Sequence, residues 1–543
     1  MMRKMTLIGV MAGLLVATAA CGPPTADKWD ESFQVGQPMQ AGDRVMYLNR
    51  TLEQVQVLEP TRSGETVDLN VERVPTGEDP TQTAMGPNEE YLFVMNAADE
   101  TLGVYDLTAD TLEMQTVELD SAYDRITVDP AGDFVLLGFT GGSNSDCVAC
   151  NLNEIGIVDL RDGVPDQAEF VTLPKRAQDL VFAPSFTMDG STQRLAAALS
   201  PSQISIVDLK ALADGDKTNG VREVPLTSSQ ADQIKQPEQA VFDVQADEET
   251  DRLSLYLLTS GGNDVTQVAI KASTRMDAER KFDLSVNQLA AGNSPTAMTV
   301  LDLPDAGKRL LTLDASSQKF HLVDVQSGEG SSFDLPITAP ADDLLVYETV
   351  VSTSEGDKPE TRVLAWSNRS ALVAVIRPAS IAISNDNPTV GRSVEAIRLQ
   401  TTPQTIRMDQ SAEQERAIAI HGGSNSGFSV LNLAGNENDA ISIQGSSLQD
   451  LTFAGTVAYG LFKGKPNFGR FDLENGHPTN YELPSPGESL FRDADEELII
   501  VDHGTATGEF TVVDANEPGP ENGRVFQGVF IENLLQQDFG GDQ

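Results

Sequence analysis

The hexapeptide IGIVDL (155–160) decides how this 543-residue chain is read, because it does not stand alone. Close variants are LGVYDL (102–107), ISIVDL (204–209), FHLVDV (320–325), FSVLNL (428–433), FGRFDL (468–473) and FTVVDA (510–515). Weaker copies are VQVLEP (55–60), VTQVAI (265–270) and LVAVIR (372–377). Apolar residues alternate through them with a period of two, the signature of a strand with one packed face. Spaced roughly 40–60 residues apart, each copy marks one supersecondary unit, and ten units result.

A second apolar segment precedes each marker, introduced by an acidic or Pro/Gly turn. Examples are MGPNEEYLFVMN (85–96), VDPAGDFVLLGFT (128–140), MDQSAEQERAIAIHGG (408–423) and FRDADEELIIVDHG (491–504). The D-P-x-G and P-N-E-E clusters supply tight turns, and long helical periodicity is nearly absent. Short strands at even spacing with one turn grammar per unit predict an all-β chain, a β-propeller of four-stranded antiparallel blades. A single ring of eight to ten blades is favoured, with two smaller rings as the alternative. GGSNS occurs twice, at 141–145 and 422–426, in units three and eight. The stretch STSEGDKPETR (352–362) reads as a loop inserted between two strands of unit seven.

This turn, strand, polar loop and V-x-V-x-D-L grammar resembles the YVTN, or surface-layer, type of β-propeller repeat across residues 42–530. Lactonase-type propellers share the grammar, so the resemblance implies either a binding scaffold or a loop-face hydrolase. Propellers of the pyrroloquinoline-quinone type, whose blades carry a recurrent Trp, are a poorer match. This chain has two, Trp29 and Trp366.

The beginning of the chain reads as an export signal. Arg3 and Lys4 precede the apolar run TLIGVMAGLLVA, and small residues lead to Cys21. The TAAC ending resembles the lipobox of bacterial lipoproteins, although Thr18 stands where that motif usually has Leu. The resemblance implies a signal peptide over 1–20, lipidation of Cys21 and a tether over 21–41; the repeats fill 42–530, and 531–543 reads as a tail. Gly22 rather than Asp after the cysteine favours the outer membrane. The expected location is therefore the cell envelope, with the membrane met only through the lipid.

Charge narrows the partners. With 82 Asp+Glu against 37 Lys+Arg, the net charge is −45, which repels nucleic acid and anionic headgroups. In a propeller blade, the connection between strands two and three lies on the same face as the connections between blades. That face rims the central channel, and candidate binding residues are sought there. They are Ser143, Asn144, Asn263, Asp264, Trp366, His421, Ser424, Asn425, Lys463, Lys465, Asp502 and His503. His421 and His503 with Asp502 could hold a divalent metal or move protons, or be loop residues satisfied by backbone. The GGSNS glycines could form an anion nest or simply open the strand exit. Lys463 and Lys465 could draw an acidic ligand, and Trp366 could stack a ring or pack against a neighbouring blade. Of the remaining histidines, His321 lies within a strand pattern and His477 in a turn.

Cys147 and Cys150 are the cysteines left in the body, and an exported C-x-x-C pair reads as a structural disulfide. Haem attachment would need His at 151, where Asn stands. No Walker lysine, G-x-G-x-x-G or H-E-x-x-H is present, so no catalytic set, metal or cofactor is assigned. The expectation is a non-catalytic, envelope-anchored propeller that binds a protein, glycan or peptide through its loop face. A lactonase-like hydrolase is the alternative.

Overall fold

The computed structural model describes residues 33–538 except 65, 110, 140–149, 189, 218, 227–235, 246–250, 274–281, 305, 354–355, 384–392, 410–415, 423–426, 434–436, 443–446, 474–477, 494–496, 520–521 and 532–534. The ten hexapeptides all become the third strand of a four-stranded antiparallel sheet. Blades 1 to 5 span 39–75, 80–118, 125–172, 179–225 and 237–290. Blades 6 to 10 span 295–334, 343–398, 403–442, 448–482 and 489–538. The first strand, Met39–Ala41, begins ahead of the expected boundary at 42. A fifth strand, Leu535–Asp538, extends blade 10 past 530.

Local chemistry explains the hexapeptide. Its alternating apolar residues face the neighbouring blades, and the Asp at its fifth position caps the turn into strand 4. The Asp106 carboxylate accepts from Thr108 N at 2.9 Å, Asp324 from Ser327 N at 2.8 Å and Asp514 from Asn516 N at 2.8 Å. In blade 4 the same residue, Asp208, caps the short helix Leu209–Ala213. The D-P-x-G turn of blade 3 closes through Gly132 N to Asp129 O at 2.8 Å. Gly132 sits at φ +79, which is why glycine stands there.

Each seam between consecutive blades holds its own apolar cluster. Blades 4 and 5 share Phe186, Ala197, Leu255 and Phe282, and blades 7 and 8 share Trp366, Ala419 and Leu431. The decisive cluster joins the ends of the chain. Val45, Tyr47 and Leu58 of blade 1 pack on Leu498, Phe510 and Phe530 of blade 10. One ring therefore closes. The chain is a ten-bladed β-propeller.

Every blade is contiguous in sequence, so no strand crosses this closing seam. Side chains hold it: Tyr47 to Asp502 at 2.8 Å, Asn49 to Phe530 O at 3.0 Å, and Arg62 to Asp514 at 2.6 Å. At the channel, the bare edges of the first strands are blunted by side chains from the neighbouring blade. Gln82 accepts from Ile126 N at 3.1 Å and Asp450 from Leu490 N at 2.8 Å. Gln239 both accepts from Met298 N and donates to Met298 O.

The segment 352–362 is not an inserted loop. It belongs to a hairpin, Asp343–Thr353 and Gly356–Trp366, whose register runs out to Thr353 opposite Gly356. Extending both strands outward needs no apolar core, so a polar, loop-like composition is compatible with paired strands.

Candidate functional site

The strand register shows what the rim histidines do. His421 follows Ile420, which pairs with Phe428, and His503 follows Asp502, which pairs with Phe510. The equivalent residue is polar and buried in six further blades: Asn49, Asn96, Ser200, Thr259, Asp314 and Ser367. Asn49, Asp314 and Ser367 tie the strand 2–3 connection of their own blade to the sheet. Asn49 Oδ1 accepts from Leu52 N at 3.1 Å, and Asp314 Oδ1 from Ser316 N at 2.8 Å. His421 and His503 belong to this series.

Both imidazoles bond inward. His421 Nε2 lies 2.9 Å from Ser429 Oγ, and His503 Nε2 lies 2.7 Å from Thr511 Oγ1. His503 Nδ1 faces the Pro486 carbonyl at 3.2 Å, which can only accept, so Nδ1 carries the proton and Nε2 accepts from Thr511. The Thr402 carbonyl lies beside His421 Nδ1 in the same way, without a direct hydrogen bond. Burial lowers the pKa of both rings and keeps them neutral.

Ser485 Oγ stands 3.0 Å from His503 Nδ1, a contact that resembles a nucleophile beside its base. The proton assignment argues otherwise. Nδ1 donates, and the serine proton goes to Glu509 Oε1 at 2.8 Å. His503 is thereby left without a lone pair for Ser485.

Asp502 takes a register position that is Leu48, Met95, Leu199, Leu258, Leu313 or Ile420 in other blades. It accepts from Tyr47 across the closing seam and from Gly504 N at 2.8 Å. Burial, the larger cause, and the nearby Glu488 raise its pKa. Its work is structural, at the seam.

The remaining predicted residues do not converge. Asn263 and Asp264 are in blade 5, half a ring from Asp502 and His503 in blade 10. His421 and His503 sit in blades 8 and 10, each bonded within its own sheet, so the structure does not join them with Asp502 around one metal. Among the described residues, no group of three His, Cys, Asp or Glu is placed to hold a metal ion. Trp366 is 4% exposed inside the blade 7–8 seam, which removes its ring from the rim as a stacking surface. Lys463 and Lys465 are exposed on the blade 9 connection. Ser143, Asn144, Cys147, Ser424, Asn425 and Cys21 lie outside the described residues, as does His477. The strands flanking the two GGSNS copies are in blades 3 and 8, on opposite sides of the ring. Cys150 is half-buried, with Ser121 Oγ 3.1 Å from its sulfur.

Two concave features were not foreseen. A cavity of about 780 Å³ opens onto the channel between the first strands of blades 7 to 10 and blade 1, lined by Ile406, Arg407, Asp450, Phe453 and Leu490 among others. A smaller one, about 300 Å³, lies at the junction of blades 3 and 4 under Asn153, Pro174, Lys175, Arg176, Gln178 and Pro201. The signal for the second was the doublet Lys175–Arg176 in an acidic chain. It falls in a connection between blades, outside the strand 2–3 connections where binding residues were expected.

No family model and no curated protein matches the chain. Among similar solved structures is the dihydro-heme d1 dehydrogenase NirN in complex with DHE, at 12% identity and TM-score 0.38, covering 75% of each chain. Apo AztD from Citrobacter koseri matches at 11% identity and TM-score 0.30, covering 68% of this chain and 87% of its own. Porphyromonas gingivalis dipeptidyl peptidase 4 matches at 13% and TM-score 0.38, covering 85% of this chain and 60% of its own. Likenesses at this level bear on neither activity nor ligand.

Proposed function

We propose that the chain is a lipid-anchored binding protein of the cell envelope, a surface-layer-type propeller that recognises a partner through the face carrying its strand 2–3 connections. One observation carries this reading. In nine blades that connection is short, as at 50–53, 97–100, 315–318 and 463–466, whereas in blade 3 it runs from 139 to 153. In a ring this regular, a connection several times longer than its counterparts is where recognition concentrates. The buried polar series in the other blades supplies a stiff frame and leaves the connections themselves to vary.

Cys21 carries the anchor in this proposal, and Cys147 and Cys150 clasp the long connection as a disulfide. The acidic surface selects against nucleic acid and leaves proteins, peptides and glycans as partners. A lactonase-like hydrolase on the same face is the competing reading, and Ser485 beside His503 is where it would have to act.

The test replaces 140–150 with Asn-Gly, leaving a six-residue connection like that of blade 10, and probes glycan and peptide arrays with both proteins. Binding by the parent that the shortened protein loses supports the proposal. Equal binding by both, or lactone turnover that Ser485→Ala abolishes, overturns it.

A further inference from the structure

The pocket at the junction of blades 3 and 4 carries a more specific inference, which rests on reading this face as a binding surface. Three connections meet there: the end of the long blade 3 connection at Asn153, the link between blades at 174–178, and the blade 4 connection at Pro201. Lys175 Nζ holds the third by bonding Ser202 Oγ at 2.7 Å and Pro201 O at 3.2 Å. Beside it stands Arg176, half-buried.

Arg176 differs from every other described arginine. Arg44 reaches Leu107 O, Arg62 Asp514, Arg309 Pro378 O, Arg407 Leu451 O and Arg416 Asp409, and the rest are likewise engaged. Among the described arginines, Arg176 alone has no hydrogen-bond or ion-pair partner. In a chain with 82 acidic residues, a guanidinium left without a carboxylate, in a concavity and beside a second cation, is placed to receive an anion from outside.

We propose that this pocket binds the carboxylate of an acidic sugar unit. The planar guanidinium fork matches a carboxylate in two parallel hydrogen bonds, and Lys175 adds a fixed positive charge. Asn153 and Gln178 bring amides, which both donate and accept as sugar hydroxyls require. Gln178 Oε1 already accepts from Gln236 Nε2 at 3.3 Å, so its amide nitrogen is the donor offered. Pro174 and Pro201 provide apolar walls, and the volume of about 300 Å³ suits one small unit. A net charge of −45 disfavours a doubly charged phosphate more than a singly charged carboxylate.

The experiment is calorimetry on the full chain at fixed ionic strength. The probes are galacturonic acid, neutral galactose, inorganic phosphate, inorganic sulfate and an Asp/Glu-rich peptide. The uronate should bind and the neutral sugar should not. Arg176→Ala should weaken binding at least tenfold, Arg176→Lys less, and Lys463→Ala with Lys465→Ala not at all. Arg176 has no partner to lose, so its variants should unfold at the parent's temperature. Equal binding by parent and Arg176→Ala, or no uronate binding, overturns the proposal. Arg176-dependent binding of phosphate, sulfate or the peptide instead of uronate overturns the sugar assignment. The array comparison with the shortened blade 3 connection is read separately, so failure here is distinct from failure of the binding-face reading.

Discussion

Removing one hydroxyl at the closing seam tests whether this ring is held shut by side chains. In Tyr47→Phe the seam loses the hydrogen bond to Asp502, made at 2.8 Å between residues 2% and 6% exposed. A hydrogen bond to a charged group contributes about 1.5–3 kcal/mol, and the buried carboxylate is left with Gly504 N alone from this pair of contacts. Taking about 2 kcal/mol, the open form of the seam should become roughly 30-fold more populated. Covalent continuity joins every other pair of consecutive blades, so the opening should stay local to blades 1 and 10.

Native-state hydrogen exchange reads this directly. Amides of Arg44–Asn49, Leu498–Asp502 and Glu509–Asp514 should exchange roughly 30-fold faster, with blades 4 to 6 unchanged. In an Asp502→Asn background the same substitution should cost less, giving a coupling of about 1–2 kcal/mol. The pH dependence has a definite sign. Asp502 has its folded pKa raised above the unfolded value, so ionisation penalises the fold and the penalty is relieved as pH falls through the folded pKa. Losing Tyr47 raises that pKa further, so the difference between variant and parent should shrink on acidification. A uniform rise in exchange across all blades would refute the seam argument, as would equal effects of Tyr47→Phe in both backgrounds.

Three other outcomes follow from the packing. His421 and His503 have pKa values lowered by burial, so below about 6.5 the unfolded chain binds protons that the folded chain does not, and stability is lost as pH falls. His421→Asn with His503→Asn should therefore lose less of its urea midpoint than the parent between about pH 7.5 and 5.5, on either side of that ordinary value, and an equal or greater loss would contradict the neutral assignment. Trp366→Ala should destabilise by about 3–5 kcal/mol in denaturant titration because it empties the blade 7–8 seam. A cost below about 1 kcal/mol would return Trp366 to the rim. Cys147 and Cys150 should resist alkylation without reductant by intact mass, and full labelling of the native protein would reject the clasp.

What the sequence revealed and concealed follows from how local each feature is. The third strands are legible because one hexapeptide contains everything they need: alternation for the two packed faces and Asp106, Asp159 or Asp514 to cap the next turn. The first strands are half-buried and weakly patterned. What four of them share, a proline ahead of a bulge at Pro80, Pro237, Pro295 and Pro403, becomes visible only in the register. A single ring was favoured over two, but what closes it was illegible, since Tyr47 and Asp502 meet across nearly the whole chain. The rim histidines could be placed only by register, which shows them as Asn49 and Asn96 in other guise. Charge works the same way, because its meaning depends on which partner the fold supplies. The arginines reach neighbouring carbonyls and carboxylates, holding blade to blade, while excess Asp and Glu are left to give the chain its −45. Where arginine is structural almost everywhere, the single described arginine without that work is the one whose partner lies outside the chain.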